Sequence, residues 1–140
     1  MALFAYSLAK DGETKLSKNF RVREFACSDH SDPVFIDSEL VGLLQAIRDH
    51  FGQPMRLTSG YRTAAYNSTL KNAARYSQHL YGRAADIRVA GVPVEQLAAY
   101  AETLLPGTGG IGTTIFYVVG GGLMVAAAIL LITKKRMENR

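Results

Sequence analysis

The chain has 140 residues, 48% of them hydrophobic, and a formal charge of +4. Lys134, Lys135, Arg136 and Arg140, offset by Glu138, supply +3 of that charge, so residues 1–133 carry only +1. No stripe of Arg and Lys interleaved with aromatics occurs before the tail, which argues against nucleic acid as a partner. The single cysteine, Cys27, excludes an internal disulfide and reads as a small buried hydrophobe.

In chain order, Met1 to Ala9 is apolar, but it lacks a preceding basic region and is cut short by Lys10 and Asp11, so it is a poor secretory signal. Its alternation of Leu3, Ala5 and Ser7 against Phe4, Tyr6 and Leu8 predicts a first strand and a turn at Gly12. Asp37 is placed to cap a helix, with Ile36 and Val41 as a hydrophobic staple. Leu40, Leu43, Leu44, Ile47 and Phe51 recur at helical spacing, and Gly52 ends the pattern. Met55 to Thr58 reads as a short strand leading into Ser59-Gly60. Thr63 to Ala74 reads as helical or irregular, with Asn67 and Asn72 as punctuation. Ala85 to Val89 sets Asp86 and Arg88 against Ala85, Ile87 and Val89, the two faces of a strand. Pro93 to Leu105 predicts a helix burying Val94, Leu97, Ala98, Ala101 and Leu104. Residues 113–133 contain no charged side chain, and about 20 such residues span a hydrocarbon core of roughly 30 Å. A transmembrane helix over about 113–133 is therefore expected, stopped by the basic tail 134–140. Gly120, Gly121 and Gly122 suit either close helix packing in a membrane or ordinary transmembrane composition.

The chemistry concentrates in Ser77-x-His79-x-x-Gly82-x-Ala84-x-Asp86. An imidazole and a carboxylate seven residues apart, with a glycine between them, can converge on one tetrahedral zinc ion. A catalytic zinc takes three protein ligands and an open position for water, and no third ligand is evident. His30 and His50 lie outside any motif. On spacing alone His79 is equally readable as a turn histidine, Asp86 as a strand-edge charge and Arg62 as a solvated arginine.

From about Phe20 to Gly112 the chain resembles the zinc D-alanyl-D-alanine carboxypeptidases and murein endopeptidases, in their small single-domain branch of bacteria and phages. The resemblance rests on Glu24-Phe25-Ala26-Cys27, Ile36-Asp37, Ile47-Arg48, Ser59-Gly60-Tyr61-Arg62-Thr63, the His79–Asp86 motif and Gly109-Gly110-Ile111-Gly112. It implies an α+β fold with a small antiparallel sheet and packed helices, of DD-peptidase or hedgehog-like type. It also implies zinc held by His79 and Asp86, and substrate binding by Arg62, with Tyr61 and Ser77 as supporting groups. Family members continue into a strand bearing a second motif, F-x-H-x-D. Here Gly112 is followed by Thr113, Thr114, Ile115 and Phe116, with no histidine. The expectation is thus a truncated domain over residues 1–112, lacking its C-terminal strand, weak in zinc affinity and low in stability.

Leu105-Pro106-Gly107-Thr108-Gly109 resembles the LPxTG sorting signal of Gram-positive surface proteins, in which a sortase cuts between Thr108 and Gly109 and joins the threonine to the cell wall. Residues 105–140 would then form a sorting signal with its membrane helix, and sortase and membrane would be partners beside peptidoglycan peptides. Three functional expectations stand together. The chain is a peptidase of peptidoglycan with an impaired site, a non-catalytic wall-anchored binding module, or a fusion of two genes at Gly109–Gly112. The expected location is membrane or cell wall if the chain is exported, and cytoplasmic or phage-associated if the tail is an artefact.

Overall fold

In the computed structural model, residues 2–71, 77–104, 112–119 and 121–129 are described. The alternating N-terminal residues form β1 (Leu3–Tyr6), which pairs antiparallel with β2 (Val34–Asp37), Leu3 facing Asp37 and Tyr6 facing Val34. Ser7 ends β1 and caps the one-turn helix α1 (Leu8–Asp11), its hydroxyl accepting from the Lys10 amide. A 3-10 turn at Val22–Phe25 then buries Val22 and Phe25.

Asp37 closes β2 and caps α2 (Ser38–Phe51), its Oδ1 accepting from the Glu39 amide at 2.8 Å. Gly52 ends α2 in the left-handed region at φ 63°. The periodic face of α2 buries Leu40, Val41, Leu44 and Ile47, and each such side chain contributes about 1.5–3 kcal/mol when fully withdrawn from water. Leu43 and Phe51 pack at the rim of the same cluster.

The main sheet contains β3 (Met55–Ser59), β4 (Ala84–Val89), β5 (Gly112–Val119) and β6 (Gly122–Ile129), in the order β3-β4-β6-β5 with every pair antiparallel. One face carries Ala85, Ile87, Val89, Leu123 and Val125 into the core, against α2 and against Leu97 and Ala101 of α4 (Val94–Glu102). A short helix α3 (Ala64–Ser68) and a 3-10 turn (Gln78–Tyr81) lie between β3 and β4 in the chain.

The C-terminal part corrects two expectations. Residues expected in a transmembrane helix over 113–133 instead supply β5 and β6, and among the described residues no helix is long and apolar enough to cross a membrane. The sheet expected to lack its last strand has β6 on the open side of β4, pairing Ala84 with Ala126 through Ile87 with Leu123. Three physical reasons favour strands. Thr113 to Val119 is a run of β-branched and aromatic residues. The glycines at 120–122 each disfavour a helix by about 1 kcal/mol. They suit a hairpin whose last pair is Val119 with Gly122, and Gly121 has φ 84°. The apolar content that made these residues look lipid-facing is used in the core, where Leu123 and Val125 are fully buried.

Candidate functional site

The site is built on the turn between β3 and β4. Gly60 follows β3 at a point where a Cβ would lie 2.7 Å from the Phe25 carbonyl oxygen and 2.9 Å from its Cα, so only glycine lets the two backbones meet. The Gly60 carbonyl is thereby fixed and meets His79 Nδ1 at 2.8 Å. Across the turn, Gly82 takes φ 68°, and a Cβ there would stand 2.2 Å from the Phe35 carbonyl oxygen. The Asp37 amide donates to the Gly82 carbonyl at 2.9 Å, and Arg83 Nε lies 3.4 Å from buried Asp37 Oδ2. The 3-10 turn bearing His79 is therefore pinned to the end of β2 and the start of α2.

His79 is 2% exposed. A carbonyl can only accept, so Nδ1 must carry a proton, and in the neutral ring Nε2 then presents a lone pair. That lone pair faces Asp86 Oδ1 at 3.3 Å. Oδ1 is buried and has no hydrogen-bond partner among the described residues. Two acceptors facing each other away from water are unfavourable unless something positive joins them, either a proton on Nε2 or a metal ion. A nitrogen and a carboxylate oxygen suit zinc, so the pair fits two places of a zinc site.

Arg62 completes the cluster and is 13% exposed in its side chain. Its Nη2 is 3.6 Å from Asp86 Oδ2, its Nε donates to Ser59 Oγ at 3.1 Å and its Nη1 donates to Asn67 Oδ1 at 3.2 Å. The Arg62 amide also donates to the His79 carbonyl at 3.0 Å. A register shift between Leu57 and Ser59 sets Ser59 opposite Asp86, and on the other side Met124 of β6 is Asp86's partner. Directly paired residues share a face, so Ser59, Asp86 and Met124 stand in a row on the face away from the core.

Of the residues singled out in the sequence, His79, Asp86 and Arg62 come together. Ser77 acts on the same turn from behind, its hydroxyl accepting the His79 amide at 3.2 Å. Tyr61 packs edge-on against Phe35, with ring centroids 5.4 Å apart. Burial, followed by the Cys27 thiol and the Asp29 carboxylate, raises its phenol above the ordinary value. Asp29 is held down at about 2 by hydrogen bonds from the Ser31 hydroxyl and the Cys27 thiol, with Thr63 adding another. His50 is stacked on Tyr100 at 3.7 Å, and His30 lies exposed at φ 60°. Among the described residues no group of three or more His, Cys, Asp or Glu is placed to hold a metal. Residues 105–109 lie outside the described residues.

Asn67, expected only as punctuation, and Met124, expected in a membrane helix, also stand at this site. Neither carries a local signal: Asn67 reaches Arg62, five residues back, only through the way the Thr63-capped α3 folds over it, and Met124 reaches Asp86 only through strand pairing.

Comparison with known families gives two matches that overlap at residues 99–118. The LPXTG cell wall anchor motif matches residues 99–139, which supports processing by sortase and attachment to the cell wall. Curated proteins and solved structures give no match. Peptidase M15 matches residues 18–118, well over half of the chain and across every residue of the His79, Asp86 and Arg62 cluster, and the protein belongs to that family.

Proposed function

We propose that this chain is a cell-wall-anchored zinc peptidase of peptidoglycan stem or cross-bridge peptides whose activity is impaired by the lack of a third metal ligand. The observation that carries this reading is the buried His79 Nε2 facing, at 3.3 Å, Asp86 Oδ1, which has no hydrogen-bond partner among the described residues, an arrangement that a bound metal ion satisfies as well as a proton on Nε2 does. Zinc held by His79 and Asp86 would supply a Lewis acid for the peptide carbonyl and would acidify water. The chain's own groups do the rest. Gly60 fixes the His79 tautomer, so that Nε2 is available as a ligand. Arg62 donates to Ser59 and Asn67 and lies against Asp86, and its two remaining N–H groups suit the terminal carboxylate of a peptide. Losing a partner of a metal ligand costs about 10–100-fold in affinity or activity, and losing a ligand costs at least as much.

Met124 stands beside Asp86, at a place from which a ligating side chain would reach the same ion, and this favours a second reading. In it the domain binds wall peptides without cleaving them, and the sorting motif holds it at the wall. The overlap of the two family matches at residues 99–118 favours a third, two genes joined at Gly109–Gly112, which source DNA read across codons 100–120 decides.

The first two readings separate in one experiment. The full chain is incubated with a peptide ending in D-Ala-D-Ala and with insoluble peptidoglycan, with and without chelator. Slow, chelator-sensitive hydrolysis lost in His79→Ala supports the impaired peptidase. Chelator-insensitive retention on peptidoglycan without hydrolysis supports the binding module. Stoichiometric tight zinc with rapid turnover overturns the impairment, and neither hydrolysis nor retention overturns both readings.

A further inference from the structure

We infer that Asn67 is a positioning residue, acting through Arg62 to set the carboxylate of Asp86; the inference rests on the reading of His79 and Asp86 as metal ligands. Asn67 is only 5% exposed, and a buried amide is tolerated where its hydrogen bonds are made. Thr63 caps α3, its hydroxyl accepting the Tyr66 amide at 3.1 Å, and α3 then delivers Asn67 to the guanidinium of Arg62, five residues back. A guanidinium has donors only, so the amide oxygen of Asn67 must face it. With Nε on Ser59 Oγ and Nη1 on Asn67 Oδ1, the plane of Arg62 is held at two points. The third nitrogen, Nη2, is left directed at Asp86 Oδ2. An attraction to Oδ2 turns the other oxygen, Oδ1, toward His79 Nε2, the orientation a shared metal ion requires. The bond from Arg62 Nη1 to Asn67 Oδ1 thus gives Asn67 a route to Asp86 by way of the guanidinium.

The test measures zinc affinity of the full chain by competition with a chromophoric chelator, alongside a thermal melt. Asn67→Leu keeps the approximate volume and removes the acceptor, and it is expected to weaken zinc binding by about 10-fold. Asn67→Asp keeps an oxygen at the same place and is expected to hold zinc as the parent chain does. In an Arg62→Met background the Asn67→Leu change is expected to cost nothing further, because the route through the guanidinium is already gone. A role in folding alone would give equal losses in both backgrounds and no rescue by Asp. That result, or an Asn67→Leu chain with unchanged affinity, overturns the inference. Should Asn67→Leu fail to fold, Asn67→Ser, too short to reach Arg62, carries the same expectations. His79→Ala separates the two levels. If it leaves zinc affinity unchanged, the metal-site reading fails. If it abolishes binding while Asn67→Leu has no effect, only the positioning role fails.

Discussion

The turn from β3 to β4 and the hairpin of β5 and β6 stand side by side in one sheet and are specified in opposite ways. Between Ser59 and Asp86 the positions that build the site each meet a specific chemical demand. Gly60 and Gly82 admit no Cβ, His79 is held by a carbonyl, and Arg62 is divided among three partners. The hairpin meets a generic demand, alternation with an apolar face. Leu123 and Val125 fill the core, while Met124 and Ala126 face the other way. A strand can therefore complete the sheet without completing the site. Architecture asks β6 for hydrophobic volume, which Leu123 and Val125 supply, whereas under the proposed reading chemistry asks it for one ligand, and Met124 stands at that place instead.

The largest expected effect comes from removing the hairpin. A chain ending at residue 111 loses the burial of Leu123 and Val125 at about 1.5–3 kcal/mol each, and it leaves an edge of β4 unpaired. Against a total stability of about 5–15 kcal/mol, the cooperative thermal transition is expected to disappear, as followed by circular dichroism. A sharp, unshifted melt would mean that the hairpin is not part of the folded unit.

On the other side of the comparison, Gly82→Ala should be nearly as damaging. It combines a left-handed φ with a backbone oxygen 2.2 Å from the new Cβ. A loss of about 3 kcal/mol or more is expected, read as a fall in melting temperature of roughly 10 °C.

Met124→His sharpens the contrast by giving β6 the chemistry it lacks. Beside Asp86 and on the same face, an imidazole would supply a third ligand, and zinc affinity should rise by at least about 10–100-fold in chelator competition. No gain would mean that position 124 does not face the ion.

A smaller effect is expected from Val118→Lys. Val118 is 60% exposed on β5, so the substitution should change stability by no more than about 0.5 kcal/mol in a thermal melt. A membrane helix over the same residues would instead be penalised by about 2.5–3.5 kcal/mol, read as loss of insertion into vesicles.

The smallest effect concerns pH. Asp29 is depressed to about 2 by its hydrogen bonds, so its contacts with Ser31 and Thr63 are fully present above about pH 4 and are lost as the pH falls through about 2. Tyr61 has the opposite sign. With its phenol raised, its contribution is intact below about pH 10 and is lost as the pH rises through the folded value. Carboxylate titration by NMR and ultraviolet difference titration follow the two groups, and ordinary values for both would contradict this account.

Much of the first hundred residues was legible from local rules. Asp37 and Gly52 bound α2 where its apolar period begins and ends, Ile87 and Val89 alternate with Asp86 and Arg88 along β4, and Leu3 to Tyr6 forms the first strand. The spacing of His79, Gly82 and Asp86 pointed to the two side chains that the turn brings within 3.3 Å. The partners that hold them were not legible. Asn67 and Ser59 matter because α3 and a bulge in β3 carry them to Arg62, and neither contact leaves a period or a motif in the sequence.

Residues 112–129 mark the boundary most clearly. Sequence alone determined that they are apolar and must leave water, because an uncharged run of that length has no stable exposed form. It could not determine what receives them, since a bilayer and an unfilled sheet edge reward the same hydrophobicity. Tertiary structure decided in favour of the sheet. β4 offers a line of backbone hydrogen-bonding groups, α2 and α4 offer an apolar floor, and glycines at 121 and 122 let the chain turn back so that β6 meets both.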